Sequence, residues 1–176
     1  MLADAGVEVT GGGDQLTVHA GDPPARLRAA DITTAPYPGL ATDLQSPTAV
    51  LLTQAQGTSR INETIFEDRL EWMDELRRMG ASVEIPDPHH ALVHGPSRLR
   101  GAEVEMSDLR AGASLMLAAF AAEGESVIHG AHQVRRGYEN IEGKFLELGA
   151  SIEVISEGPS SVSSVIPPAA PVPAAP

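Results

Sequence analysis

The sequence predicts an α/β fold built from a repeated β-α-β-α-β-β unit. Three observations carry that prediction. "TDLQSPTAVLLTQAQGTSRI" at 42–61 aligns with "SDLRAGASLMLAAFAAEGESVI" at 107–128, with a two-residue offset inside the apolar run. Beyond the offset, Gly57, Ile61 and Arg69 fall over Gly124, Ile128 and Arg136. A closing phrase then recurs, "LRRMGASVEI" at 76–85 and "FLELGASIEV" at 145–154, and "MLADAGVEVT" opens the chain with it. The sequence therefore reads as the end of one unit followed by two whole units of about 70 residues, an internal-repeat signature.

Each element has a local reason. The closing phrase reads as a helix stopped by Gly6, Gly80 or Gly149, since glycine takes the left-handed conformation that ends a helix. Strands follow at "VEVT", "SVEI" and "SIEVI", and second strands at "QLTVH" and "ALVHG". "TGGGD" at 10–14 lies between two strands and lacks the Gly-Lys-Ser/Thr ending of a phosphate loop, so it reads as a hairpin turn. "RAADITT" and "GAEVEMS" lead into the Asp-Leu helices, and strands return at "TSRIN" and "ESVIH". A second helix is expected from about 68 to 79 and from about 138 to 148, where Leu70, Met73, Leu76 and Met79 recur at near-helical spacing and Trp72 falls off the stripe. Such units, repeated by rotation, suit a prism-like α/β domain. Periodicity is compatible with helices inside and sheets outside, or with the converse.

Composition narrows the function classes. The 176 residues carry a net charge of −12, which argues against nucleic-acid binding, since that needs a basic face. There is no cysteine, hence no disulfide framework, thiol nucleophile or cysteine-based zinc site. The six histidines lack a metal-binding spacing. No signal peptide is read, nor any apolar run of about 18 residues that would span a membrane. The uncharged stretch "GPSSVSSVIPPAAPVPAAP" at 158–176 reads as a flexible Pro/Ser/Ala-rich tail.

Two aspartates open helices, Asp43 and Asp108. Each suits an N-cap, and each suits a carboxylate placed for proton transfer or substrate contact. Arg110 stands where the first unit has Gln45, and Arg136 precedes the helix expected from Gly137 or Tyr138. Either arginine fits a surface ion pair or a fork for a carboxylate or phosphate, and a cation at a helix start opposes the dipole unless an anion is bound there. Arg69, the counterpart of Arg136, has Glu67 and Asp68 beside it as ion-pair partners.

Four phrases together, "TTAPYPGLATDLQSP", "NETIFEDRLEWMDELRRMGA", "SDLRAGASLMLAAFAAEG" and "RRGYENIEGKFLELGA", resemble the C-terminal part of the UDP-N-acetylglucosamine 1-carboxyvinyltransferases. The sister family of 3-phosphoshikimate enolpyruvyl transferases shares their fold, but these phrases look less like it. The resemblance runs from about residue 1 to 157 and implies part of an inside-out α/β barrel, a prism of such repeats. It implies transfer of the enolpyruvyl group of phosphoenolpyruvate to the 3-hydroxyl of UDP-N-acetylglucosamine with release of phosphate, in the cytoplasm, early in peptidoglycan precursor synthesis. No cofactor and no metal are implied.

Residue by residue, the resemblance makes Asp43 the contact to the sugar 3-hydroxyl and candidate general base, and Ile65 a backbone contact to the sugar nucleotide. It sets Arg110 and Arg136 near the substrate anions. Arg69 and Asp108 are weaker matches, Asp108 standing behind the substrate or simply capping.

The expected organisation is a partial domain at 1–157, with repeats at 1–85 and 81–157 sharing a closing strand, then the tail at 158–176. The family's N-terminal half, with its phosphoenolpyruvate-gripping lysine and arginine and its general-acid loop, is not in this sequence. The chain is thus expected to be a fragment that is inactive alone and that meets a missing N-terminal half or self-associates. The alternative is a non-catalytic binding or interaction module derived from such an enzyme.

Overall fold

The computed structural model describes residues 2–19, 26–158 and 161–168. The chain divides into two compact units, one of residues 1–71 and 81–97, the other of 72–80 and 98–176.

The first unit opens with strands β1 (Glu8–Gly12) and β2 (Gln15–His19), an antiparallel hairpin turning through Gly13 and Asp14. Gly13 has a φ of 63°, which suits the tight turn expected of "TGGGD". A four-stranded sheet follows, made of β3 (Ile32–Thr33), β4 (Gly57–Asn62), β5 (Ser82–Asp87) and β6 (His90–Gly95) in the order β3-β4-β6-β5. β3 runs parallel to β4, and the other pairs are antiparallel. Between β3 and β4 lie a 3₁₀ turn at Thr42–Leu44 and helix α1 (Gln45–Leu52).

The second unit repeats this plan. β7 (Glu103–Glu105), β8 (Ser126–His129), β9 (Glu153–Gly158) and β10 (Ser161–Ile166) form a sheet in the order β7-β8-β10-β9, again with the first pair parallel. Helix α3 (Leu109–Ala121) joins β7 to β8, and a 3₁₀ segment at Ala131–Arg136 leads to helix α4 (Ile141–Glu147). Helix α2 (Met73–Arg78), which belongs to the first repeat in sequence, packs against α3 and β7 in this unit.

The repeat holds down to single hydrogen bonds. Arg28 N–H donates to the Ala5 carbonyl at 3.0 Å, and Arg100 N–H to that of Met79 at 2.8 Å. Ala29 N–H meets the Gln56 carbonyl at 2.9 Å, and Gly101 N–H that of Glu123 at 2.7 Å. Thr34 N–H meets the Asn62 carbonyl at 2.9 Å, and Met106 N–H that of His129 at 3.0 Å. Gly6, Gly80 and Gly149 have φ of 87°, 92° and 88°, the left-handed stops read from the closing phrases.

Burial decides which layer is inside. In α3, Ala111 to Met116, Ala118 and Ala119 are all buried, so the helix is covered on nearly every side. The strands alternate, as in β7 with only Val104 buried. The first helix of each repeat, α1 and α3, therefore lies in an inner layer of its unit, with the sheet outside it. The small residues of α3 follow from this: a Cβ on Gly112 would lie 2.6 Å from Met106 Sδ and 2.8 Å from Val134 Cγ2.

Two expectations need correction. The stretch 158–176 is not a tail throughout, because Ser161–Ile166 form β10, paired with both β8 and β9. "SVSSVI" carries no proline and has Ser164 and Ile166 buried within the sheet. Prolines at 167 and 168 follow the strand, and the remainder of the tail, 169–176, lies outside the described residues. The second helices also start later than the hydrophobic stripe suggests. Asp68 and Asn140 have φ of 58° and 46°, left-handed conformations that Asp and Asn tolerate and that a continuing helix cannot contain. Trp72, though off the stripe, is buried.

At the start of α3, Asp108 is an N-cap whose carboxylate accepts from Arg110 N–H at 2.7 Å and Ala111 N–H at 3.1 Å. Asp108→Ala should lower stability by about 1 kcal/mol in urea unfolding, the usual loss of such a cap. Gly101 is confined more severely, since a Cβ there would sit 2.0 Å from the Glu125 carbonyl oxygen. Gly101→Ala should destabilise by about 1–3 kcal/mol. Gly12→Ala, with no atom within 4 Å of its added carbon, should shift the same unfolding curve by less than about 0.5 kcal/mol.

Candidate functional site

In the first unit, four of the residues that matter sit around the end of β4. Asp43 occupies the middle of the 3₁₀ turn Thr42–Leu44. The caps of that turn and of α1 are Ala41 and Leu44, and neither makes a side-chain cap bond. The two helix-opening aspartates thus differ: Asp108 holds the cap position of α3, and Asp43 does not hold that of α1.

Asp43 Oδ1 lies 3.3 Å from Arg69 Nη2. The Asp43 side chain is 57% exposed and that of Arg69 only 20%. Sequence neighbours suggested Glu67 or Asp68 as partners of Arg69, whereas the ion pair runs to Asp43, 26 residues away. The Arg69 guanidinium also lies 5.2 Å from the centre of the Phe66 ring, a cation–π distance. The pair leaves the carboxylate open to solvent and gives it an oriented cation.

Glu63, which drew no attention in the sequence, organises this region. It is fully buried. Its Oε1 accepts from Thr34 Oγ1 at 2.8 Å, from Ile65 N–H at 2.9 Å and from Phe66 N–H at 3.4 Å, while Oε2 accepts from Thr42 Oγ1 at 2.9 Å. A carboxylate buried this way is tolerated because its lone pairs are filled. Ile65 is exposed, but its N–H is already engaged by Glu63. The only sequence signal for Glu63 is its mismatch with the other repeat, where Gly130 follows the equivalent strand.

The His89 loop backs this arrangement. Glu63 N–H donates to the His89 carbonyl at 2.7 Å, and His89 Nδ1 lies 2.9 Å from the Glu63 carbonyl oxygen. His89 N–H and the His90 ring bond the Asp87 carboxyl and hold it below the usual carboxylate range.

In the second unit, Arg110 is the second residue of α3 and half-buried, so a cation does stand in the first turn of that helix. Arg136 is placed differently from the sequence reading. It ends the 3₁₀ segment Ala131–Arg136 rather than opening α4, so the dipole cost that argued for a bound anion does not arise there. The two arginines flank one contact: a Cβ on Gly137 would lie 2.9 Å from Leu109 Cδ1. This brings the chain at Arg136 against the start of α3, where Arg110 stands. No cluster of three or more His, Cys, Asp or Glu suited to a metal occurs among the described residues.

Comparison with known proteins bears on what such a site serves. Residues 1–145 match the family model of EPSP synthase (3-phosphoshikimate 1-carboxyvinyltransferase). The UDP-N-acetylglucosamine 1-carboxyvinyltransferase of Halothermothrix orenii is 53% identical over 130 residues, which are 74% of this chain and 31% of that protein. The UDP-N-acetylglucosamine 1-carboxyvinyltransferase 3 of Symbiobacterium thermophilum is 45% identical over 161 residues, 92% of this chain and 37% of that protein. Among solved structures, the enolpyruvyl transferase NikO from Streptomyces tendae superposes with a TM-score of 0.77 at 32% identity, over 85% of this chain and 34% of that one. The chain spans about a third of the length of the curated relatives it matches. The repeated unit, its inner helices and these likenesses lead to one assignment: the chain belongs to the EPSP synthase family of enolpyruvyl transferases.

Proposed function

We propose that this chain contributes the Asp43 side of an enolpyruvyl transfer from phosphoenolpyruvate to the 3-hydroxyl of UDP-N-acetylglucosamine, a cytoplasmic step in peptidoglycan precursor synthesis. The observation that carries the proposal is Asp43 itself. Its carboxylate is not the cap of the helix it precedes, it remains open to solvent, and it pairs with a largely shielded arginine. The names of the relatives at 45–53% identity supply the substrate.

In this reading the Asp43 carboxylate removes the proton of the sugar 3-hydroxyl as its oxygen bonds to C2 of phosphoenolpyruvate. The methylene carbon gains a proton in the same addition from a general acid on the part of the enzyme that this chain does not match. The tetrahedral intermediate then gives up a proton from that carbon to a base of the completed site and expels phosphate, restoring the double bond. A base in this role must be ionised and within hydrogen-bond reach of the hydroxyl. The Arg69 guanidinium orients the carboxylate. Ile65 contacts the sugar nucleotide through its carbonyl oxygen, because its N–H is committed to Glu63. Arg110 and Arg136 hold the phosphate and carboxylate charges that develop in transfer. Asp108 supports Arg110 by fixing the first turn of α3.

The chain is proposed to need the part of the family enzyme that its relatives have and it does not match, either as a separate polypeptide or in a longer chain. The test is phosphate release from phosphoenolpyruvate and UDP-N-acetylglucosamine by the purified chain, with and without a polypeptide covering the other two thirds of a relative. No turnover is expected from the chain alone, and turnover from the pair. Asp43→Asn should then lower kcat by about 10²–10⁴-fold, the range for losing a general base. A kcat that is unchanged in Asp43→Asn removes this residue from the mechanism, and turnover by the chain alone removes the requirement for a second part.

A further inference from the structure

The end of β4 buries a carboxylate that no step of the proposed reaction uses. Glu63 cannot touch a substrate, since none of its surface is exposed. Its two oxygens face different parts of the chain. Oε2 takes the hydroxyl of Thr42, the residue immediately before Asp43. Oε1 takes the amides of Ile65 and Phe66 and the hydroxyl of Thr34 on β3. Thr34 is itself held, its hydroxyl accepting from Thr64 N–H at 2.9 Å and its carbonyl from Thr64 Oγ1 at 2.6 Å.

We propose that Glu63 is the positioning residue of this site. One buried carboxylate ties the turn that bears Asp43 to the backbone of Ile65 and Phe66. It thereby sets the base relative to the sugar-nucleotide contact and, through the Phe66 ring under Arg69, relative to the cation that orients the base. What Asp43 and Ile65 bind rests on the function proposed above, whereas the tie does not. Hydrogen bonds to a buried charged acceptor are stronger than neutral ones, and losing the acceptor strands its donors. A carboxylate is the one side chain that accepts on both oxygens, as four donors on three segments require.

Three variants of the chain separate positioning from general stability. Glu63→Gln keeps the size but can accept on one oxygen only, so a carboxamide that serves Ile65 and Thr34 turns its NH₂ toward Thr42. Thr42→Val deletes the single bond to the Asp43 turn. Ser59→Ala is the control: it removes a buried hydroxyl that accepts from Ala30 N–H at 3.1 Å in the same sheet. Amide exchange by NMR without ligand should show the Leu44 amide, which closes the 3₁₀ turn onto the Ala41 carbonyl, exchanging about tenfold faster or more in both Glu63→Gln and Thr42→Val. In Ser59→Ala it should change only as much as the global unfolding does. UDP-N-acetylglucosamine, titrated into the same samples, should bind about tenfold more weakly to the first two variants and unchanged to the third.

An unaltered Leu44 exchange rate in both test variants overturns the proposal. So does a loss of affinity that tracks thermal stability equally in all three, or an affinity that holds while Leu44 exchange accelerates. If the exchange result is as expected but the nucleotide sugar perturbs no signal of the unmodified chain, the tie stands and the substrate reading falls.

Discussion

A carboxylate with no exposed surface has to satisfy all its lone pairs from the protein, and that requirement shapes the first unit around Glu63. The donors come from three places: β3, the turn before α1 and the segment after β4. None of those segments is a long regular element. β3 is two residues, the turn is three, and 63–66 is irregular. Irregular backbone of this kind would open locally at low cost. A shared charged acceptor joins the three into one piece, and the Asp43 turn inherits the rigidity of the sheet.

The second repeat shows what the scaffold does without that carboxylate. Asn62 and His129 are equivalent, each being the last residue of its strand and each accepting from the first parallel strand's successor, Thr34 or Met106. The next residue is Glu63 in one copy and Gly130, with a φ of 74°, in the other. From Thr34 the chain takes nine residues to reach Asp43, whereas from Met106 it takes two to reach Asp108. The extra length lets a 3₁₀ turn stand ahead of α1, and the aspartate moves from the cap into that turn. In the shorter copy the aspartate has only the helix end to serve, and it caps. Duplication therefore explains why both aspartates exist, and the longer connection explains why they differ.

Most of the fold was legible in the sequence because it is written twice. Each glycine stop, each strand and each first helix is read once from local pattern and again from its copy. The errors arise where that second reading was not used. "QLTVH" and "ALVHG" call for a matching strand after β9, and "SVSSVI" supplies it, but the prolines that follow gave the stretch the composition of a tail. The late starts of α2 and α4 were not legible, since a left-handed Asp68 or Asn140 leaves the hydrophobic stripe unchanged. At the site, the roles of Asp43, Ile65, Arg110 and Arg136 came from family likeness, and position alone left cap and base open. Arg69 was tied to its sequence neighbours because nothing local reveals a partner 26 residues away. Glu63 is silent for the same reason: in "INETIFED" it is one acidic residue among several, and only its burial sets it apart.

The two carboxylates of this unit divide the work of a site between them by their environments. Glu63 is immobilised by charge-assisted bonds in a place water does not reach, so it can fix geometry but cannot exchange a proton with a substrate. Asp43 has the opposite balance. Its pair with Arg69 spans 3.3 Å beside solvent, and pairs of that kind contribute on the order of 0–1 kcal/mol. That is enough to bias the orientation of a carboxylate. In the reaction proposed above Asp43 is the base, which must take up a proton and give it back within each turnover. Precision and proton exchange conflict in a single group, and under that proposal they fall to two: the buried carboxylate fixes the geometry, and the exposed one stands on the turn that it holds.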